Sequence, residues 1–562
     1  MREQLHRLAR EGGERKAKSE GGPRRDLIEG PLRFSPFALR LPFRSSPFPI
    51  QPSPSPFVVS SPDIALHLLD FLVVVGYFVF TLGVGLWVAR RQRSATDYFL
   101  GARDLPAWAI LLSIVATETS AVTVISVPGI GARGDLTFLQ LAFGYLVGRI
   151  GVAVWLLPGY FRGEQETAYA RLETRFGAGT RRLISVVFLV TRFLGDAVRV
   201  FASAIPLALV TGWSIPTSIV AMGIVTLIYT WFGGFKAVVW TDVLQLSVYL
   251  AGGVGALFIA WSLAGGPAAA LGAAAAAGKL KLIVPEIDFT RTYTLLGGLL
   301  GGALLSAASH GTDHLIVQRL LATRSLADAR RALIGSGVMV IAQFTLFLLV
   351  GSAIWAAGLA PPGAPGDELF PRFVVEHLPQ GLAGLVVAGI LAAAMGTHSS
   401  AINSLASSAT HDLYASWTGR RDPVHLLRVG RLFSGLWGGT LIVGALFFHY
   451  GVSGRDTPVV VLALSIASVT YGALLGTYVL ATRWPRAAGS DVVGAVLVTV
   501  SLMLVVVFAA RLAQAGMAWL APIGRLAWPW YVPLGTALAV GTGVILSYLH
   551  EPPPPERHTT HP

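Results

Sequence analysis

Runs of about twenty apolar residues recur along nearly the whole chain, each long enough to cross a bilayer as a helix. Thirteen such segments are predicted, near 64–89, 106–130, 136–158, 182–211, 214–232, 237–263, 293–318, 329–358, 381–410, 427–450, 457–481, 490–512 and 529–548. The fourth and ninth exceed a simple span, which predicts tilt or extension beyond the hydrocarbon core. Two segments look broken. The second reads SIVATETSAVTVISVPGIG, with polar residues at its middle and Pro128-Gly129 at its end. The seventh reads GGLLGGALLSAASHGTDHLIVQR, glycines followed by Ser306, Ser309, His310, Thr312, Asp313 and His314. Interrupted spans in corresponding places of two halves point to an inverted-repeat transporter that binds near the midplane. The expectation is an all-α polytopic membrane protein of about 13 transmembrane helices with an inverted 5+5 repeat core. Its first five-helix repeat covers 106–263 and its second 293–482, although no sequence repeat is visible and the symmetry rests on position. A first transmembrane helix and cytoplasmic loop occupy 63–105, two additional helices 490–548, and a short cytoplasmic tail 549–562.

Within the ninth segment, AAMGTHSSAINSLASSATHDL places Thr397, Ser399, Ser400, Asn403, Ser404, Ser407 and Ser408 inside one membrane helix. Unsatisfied polar groups are expensive in hydrocarbon, so these residues face other helices or a hydrated cavity. On a helix, Ala393, Gly396, Thr397 and Ser400 form one stripe. Its oxygens suit a hard monovalent cation, while the plainer account is close helix packing through small residues.

The chain has 562 residues, 53% hydrophobic and 13% charged, which leaves too little charged surface for a set of soluble domains. With no cysteine, disulfides, thiol nucleophiles and Cys metal sites are excluded. The net charge of +13 is spread over an N-terminal tail and short loops, with no aromatic-basic face for nucleic acid. Residues 1–62 form a basic, Pro/Ser-rich tail that reads as disordered, and a misplaced translation start is one account of it. Basic residues concentrate in every second loop: Arg90, Arg91, Arg93 and Arg103; Arg162, Arg171, Arg175, Arg181 and Arg182; Arg319, Arg324, Arg330 and Arg331; Arg420 and Arg421. The balance is about twenty Lys and Arg against about seven, which predicts an outside N-terminus and a cytoplasmic C-terminus in the cell inner or plasma membrane.

DYFLGARDLPAW, YTWFGGFKAVVWTDVLQ at 229–245, IVQRLLATRS at 316–325, AAAMGTHSSAINSLASSATHDLY at 392–414 and YGALLGTYVLATRW at 471–484 occur in a telling order. With them the chain resembles the sodium:solute symporters, carriers of sugars, proline, sialic acid, iodide and vitamins, over roughly 65–485. The resemblance implies a leucine-transporter-like fold and coupling of inward Na+ flow to uptake of a small organic solute. It implies Na+ as coupling ion, no other cofactor, and no metal beyond Na+. Partners would be the solute, Na+ and the lipid bilayer, with no nucleic acid and no obligate protein partner. The main sodium site would use Ala116 and Thr119 of the second segment with Ala393, Gly396 and Thr397 of the ninth. The family commonly has Ser where this chain has Gly396, so one hydroxyl ligand is missing. Asp242 with Ser399 and Ser400 matches an additional sodium site of some members.

Asp242 also reads independently, either as a wet helix-terminal residue or as an ion or proton relay. Glu118 lies beside the presumed cavity; by the resemblance, Glu118, Thr123, Ala142, Tyr145 and Ser306 stand where the sugar carriers recognise hydroxyls with amide and acidic side chains, a departure that counts against a sugar without excluding it. Ser309 and His310 complete the substrate-cavity candidates. Arg192, Asp196 and Arg199 are spaced so that Asp196 can pair with either arginine, and Arg199 is a candidate clamp for a substrate carboxylate. HGTDH at 310–314, with His398 and His411, is the best case for a membrane metalloenzyme, against which the absence of HExxH counts. The rivals are a proton-coupled or uncoupled carrier of the same fold and, in another class, a solute-sensing receptor. Only about fourteen residues follow the last segment, too few for a signalling domain. A secondary transporter, not an enzyme, is the expectation.

Overall fold

The computed structural model describes residues 67–88, 93–163, 165–452 and 459–551. The tail expected over 1–62 and most of the stretch expected over 549–562 lie outside them. Among the described residues the secondary structure is helical, apart from an isolated bridge between Leu105 and Thr323. The principal helices are α1 (Leu68–Val88), α2 (Ala107–Glu118), α3 (Ala121–Arg133), α4 (Leu139–Tyr160), α5 (Ala170–Thr211), α6 (Ile215–Leu263) and α7 (Gly302–Gly311). They continue with α8 (His314–Leu321), α9 (Leu326–Ala356), α10 (Leu382–Ser408), α11 (Pro423–Val452), α12 (Val459–Arg483), α13 (Gly489–Gln514) and α14 (Tyr531–Ser547). Among the described residues, eight helices are long and apolar enough to cross a membrane, or nine if the bent pair α2–α3 is one span. The other four expected spans fall on α5, the second half of α6, the α7–α8 pair and α12.

The breaks are written locally. α2 ends at Glu118, and Ser120 opens α3 by accepting the Thr123 N–H on its hydroxyl at 3.4 Å, with a 72° bend between the two helices. At the corresponding place in the second half, Asp313 caps α8 by accepting the Leu315 N–H at 2.9 Å. Segments five and six, expected as separate, form the single 49-residue α6 with one non-helical residue, Gly234 at φ 54 and ψ −156. A straight helix of that length would run roughly 74 Å, more than twice a hydrocarbon core, so Gly234 divides it into two spans. Only glycine takes that backbone without strain. The fourth segment begins earlier than expected, at Ala170, with a similar interruption at Gly177 (φ 83).

α10 is the axis of the molecule, buried without interruption from Val386 to Ser408. Its small residues seat α6: a Cβ on Gly389 would lie 2.7 Å from the Tyr249 Cα, and one on Gly396 the same distance from Gln245 Oε1. Asp70 of α1 caps its start, with Oδ1 accepting the N–H groups of Gly381 and Gly384 at 2.7 Å each. On the other side, α3 and α9 touch backbone to backbone, since a Cβ on Gly351 would stand 1.8 Å from the Pro128 carbonyl oxygen. The packing reading of the small-residue stripe therefore holds for part of it, and the polar positions remain to be explained.

Candidate functional site

Helix α2 makes its last turn with the Thr119 N–H bonded to the Val115 carbonyl at 3.0 Å. The carbonyls of Ala116, Thr117 and Glu118 lie past that bond, at the negative end of a half-helix. α10 crosses here and presents Thr397, whose hydroxyl donates to the Ala393 carbonyl at 3.1 Å and stands 3.4 Å from the Thr117 carbonyl. Oxygens of two helices thus meet in a buried place around one hydroxyl. The Thr119 side chain is turned away to α9: Gln343 Nε2 donates to its hydroxyl at 2.8 Å, and that hydroxyl donates to the Val115 carbonyl at 2.8 Å. Gln343 Oε1 in turn accepts the Tyr249 hydroxyl at 2.7 Å. Gln343 drew no notice in the sequence, where it is one polar residue in an apolar run. Gly396 turns its bare face to α6, while its carbonyl accepts the hydroxyls of Ser399 at 3.1 Å and Ser400 at 2.6 Å.

Asp242 is fully buried, which overturns the wet helix-terminus reading. Its Oδ2 accepts Ser113 at 2.6 Å, Thr117 at 3.4 Å and the guanidinium of Arg319 at 2.9 Å. Arg319 is also fully buried and donates further to Ser113, Ser400 and the Leu315 carbonyl. Counting it among loop cations was therefore wrong: α8 continues to Leu321 and draws this arginine into the core. Arg181, also counted there, is mostly buried, and its Nε meets Asp412 at 2.7 Å. Ser400 thus stands beside Asp242 through Arg319 and Thr117, whereas Ser399 stands beside Tyr229.

Glu118, at the break, is ion-paired with the fully buried Arg149 of α4, and His310 Nε2 lies 3.7 Å from the same carboxylate oxygen. Arg149 also donates to Ser336 at 2.7 Å. Ser309 shares a hydrogen bond with His310 Nδ1 at 2.8 Å, and Ser306 is buried with an unpartnered hydroxyl. Tyr145 lies within electrostatic reach of Glu118 and Arg149. Thr123 sits one turn beyond, at the start of α3. Five of the seven cavity candidates (Glu118, Tyr145, Ser306, Ser309 and His310) therefore gather between the two broken helices. Arg199 does not join them. It pairs with Asp196 at 2.8 Å, and Asp196 also holds Arg192 at 2.9 Å, so the one acid serves both arginines. Arg192 goes on to Asp313 at 3.1 Å, and Tyr471 donates to Asp313 at 2.8 Å.

The HGTDH residues diverge: His310 toward Glu118, Asp313 toward Arg192, and His314 toward Ser407 at 3.0 Å. Among the described residues no group of three or more His, Asp or Glu side chains is arranged to hold a metal ion.

Residues 98–519 match the family model described as the sodium:solute symporter family. The sodium/sialic acid symporter of Proteus mirabilis (strain HI4320) is 28% identical over 455 residues, covering 77% of this chain and 89% of that protein. The human sodium/iodide cotransporter is 31% identical over 436 residues, covering 74% and 66%. A solved structure of a Na+-coupled sialic acid symporter, in a substrate-bound outward-open state, superposes with a TM-score of 0.76 at 25% identity, covering 86% of this chain and 98% of its own. The helical arrangement is of the leucine-transporter type, and the protein is an integral membrane transporter, not an enzyme. With Na+ as its coupling ion and a small organic solute as its cargo, the chain belongs to the sodium:solute symporter family.

Proposed function

We propose that the chain imports its solute by alternating access through thirteen spans, with Na+ docking between α2 and α10. The ligands are the carbonyls of Ala116, Thr119 and Ala393, the Thr397 hydroxyl and the backbone at Gly396. One observation carries this reading: the Thr397 hydroxyl brings together carbonyls of α2 and α10 at the C-terminal end of a broken half-helix, where such transporters hold their cation. Glu118, Thr123, Tyr145, Ser306, Ser309 and His310 line the solute's path, and Asp242 with Ser399 and Ser400 serves a second ion or a proton relay. Arg199, already paired with Asp196, is the remaining candidate for a substrate carboxylate. Relatives that carry sialic acid and iodide make an anionic solute the first class to screen.

Coupling requires Na+ to favour the conformation that accepts solute, since equal affinity for all states shifts nothing. One charge moved across 100 mV contributes about 2.3 kcal/mol before any concentration gradient. The test is a Na+ titration of melting temperature and uptake in wild type and Thr397→Ala. A roughly tenfold rise in half-saturating Na+ is expected for the variant, on the scale of lost metal-site contacts. An unchanged Na+ dependence would remove Thr397 from the site. Two five-helix units, 106–263 and 293–482, are supported by the paired breaks at Thr119–Ser120 and Thr312–Asp313. The N-terminus is assigned outside and the C-terminus to the cytoplasm of the inner or plasma membrane. Because the chain has no cysteine, Arg420→Cys and Glu286→Cys give clean single-site labels. A membrane-impermeant thiol reagent applied to whole cells should modify position 286 and spare 420; the reverse would invert the topology.

A further inference from the structure

On the face assigned to the cytoplasm, several arginines find a carboxylate. Arg181 meets Asp412 and Glu173, Arg324 meets Asp104 at 2.6 Å, and Arg331 meets Asp328 at 3.5 Å. Arg171, Arg330 and Arg483 meet none among the described residues, yet all three are drawn to the same end of α4. Arg171, at the start of α5, donates to the Leu156 carbonyl at 3.0 Å. Arg330, near the start of α9, donates through Nε to the Ala153 carbonyl at 2.9 Å. Arg483, the last residue of α12, places its guanidinium over the Trp155 ring, 5.4 Å from the centroid. The turn they surround, Val152–Leu156, is π-helical, a wide form that recurs at functional places.

Capping the carbonyl end of α4 accounts for Arg171 and Arg330 in part. It does not account for Arg483, which makes a ring contact and no hydrogen bond. Each of the other two spends a single N–H donor on the turn, so most donors of all three guanidinium groups stay open. Three positive charges without a carboxylate, at the ends of spanning helices, call for an anion. The turn also borders an apolar surface. Val154, between the two residues that Arg330 and Arg483 touch, is 67% exposed, and Ile150 and Val147 continue one stripe along α4 at 42% and 53%. Trp155 beside it is the amphipathic ring that settles at headgroup level.

We propose that this turn of α4 is a binding site for one anionic phospholipid. Arg171, Arg330 and Arg483 hold its phosphate, and its acyl chains run along Val154, Ile150 and Val147. Guanidinium groups pair with phosphate through parallel N–H bonds, and a zwitterionic headgroup brings a cation of its own into the same place. The cytoplasmic leaflet is where anionic lipids are found. A lipid seated there ties α4 to α5, α9 and α12 and stabilises the folded protein. Only the choice of leaflet rests on the orientation assigned above.

The experiment is melting of the delipidated full-length protein in neutral detergent at fixed NaCl, titrated with phosphatidylglycerol, phosphatidylcholine or soluble glycerol 3-phosphate. Wild type should show a saturable rise in melting temperature with phosphatidylglycerol alone. In Arg330→Gln with Arg483→Gln, half-saturating phosphatidylglycerol should rise roughly 25-fold, about fivefold for each arginine near a phosphate. Arg331→Gln, which removes an arginine already paired with Asp328, should respond as wild type does. Should the double variant fail to fold, Arg483→Gln alone breaks no hydrogen bond and should still show the fivefold weakening. An unchanged response in these variants, or an equal rise with phosphatidylcholine, would overturn the proposal. A rise with glycerol 3-phosphate matching that of the lipid would also overturn it, in favour of a site for a free phosphate. The titration in micelles is blind to sidedness, whereas thiol labelling at 286 and 420 reads it. An inverted topology would therefore move the site to the other leaflet without touching the lipid response.

Discussion

Replacing Asp242 by Asn removes one charge from an ion pair whose partners are both fully buried. The carboxylate loses its charge-assisted bond from Arg319, and the guanidinium keeps only neutral partners: Ser113, Ser400 and the Leu315 carbonyl. Breaking a buried pair from one side typically costs about 3–5 kcal/mol, because the surviving charge stays desolvated. That range corresponds to a factor of roughly 10² to 10⁴ in a folding equilibrium. Removing both charges is a different perturbation. In Asp242→Asn with Arg319→Met the desolvation cost disappears with the charges, and a neutral interior is often no less stable than a buried pair. The four proteins of the cycle are therefore expected to rank wild type near the double variant, with both single variants well below. Unfolding would be followed in detergent with K+ as the only monovalent cation, so that Na+ binding contributes nothing. A coupling energy of about 2 kcal/mol or more is expected between contacting groups of this kind. If the losses of the two single variants simply add in the double variant, the pair is not a closed electrostatic unit, and the account of Arg319 as a core residue fails.

Gly351→Ala should destabilise the contact of α3 with α9, since its Cβ would stand 1.8 Å from the Pro128 carbonyl oxygen. The expected loss is about 1–3 kcal/mol or more, read as lower apparent melting temperature, with Gly439→Ala, where a Cβ meets nothing within 4 Å, as the control. Outside the membrane, His550 bonds the Glu551 carbonyl and the Asp491 carboxylate at 2.8 Å, and these contacts raise its pKa above the ordinary histidine value. A raised folded value places the stabilising contribution fully below about pH 6.5, and it is lost as pH climbs through the folded pKa. Hydrogen exchange of residues 547–551 should therefore quicken with pH beyond the intrinsic trend, and His550→Asn should abolish that excess.

What the sequence carried well was local. The stripe Ala393, Gly396, Thr397 and Ser400 follows from helical periodicity alone, and α10 meets both α2 and α6 along it. The breaks were legible because their chemistry is short-range: Ser120 and Asp313 cap the half-helices that follow them. Pairings across the fold were not legible. Glu118 and Arg149 are 31 positions apart and Asp242 and Arg319 are 77, and no periodicity within one helix relates such residues. Arg319 was lost for a further reason. Ending the seventh segment at 318 left it looking like one more basic loop residue, whereas the capping by Asp313 restarts the helix and carries it inward. Gln343 gave no signal of chemistry, because an amide among apolar residues looks the same whichever helices it ties together.

The position of the Asp242–Arg319 pair bears on how ion binding would reach the solute. Ser113 comes from α2 and Arg319 from α8, one from each broken pair, while Asp242 and Ser400 come from helices that pass the site unbroken. A pair with no access to water cannot stretch gradually, because each intermediate separation leaves two desolvated charges. It is either made or broken, which is the property a two-state transporter needs of an internal contact. The second ion or proton proposed for Asp242 would draw on the same carboxylate that holds Arg319 through Oδ2, so its arrival would weaken the grip on α8. The solute region is reached from there in few steps, since α8 follows α7, and α7 carries Ser306, Ser309 and His310 up to Glu118. Linkage then demands the converse: whatever solute favours the position of α7 must change the affinity for Na+ by the same factor. A solute that binds without shifting the Na+ titration would break this chain of argument at Arg319.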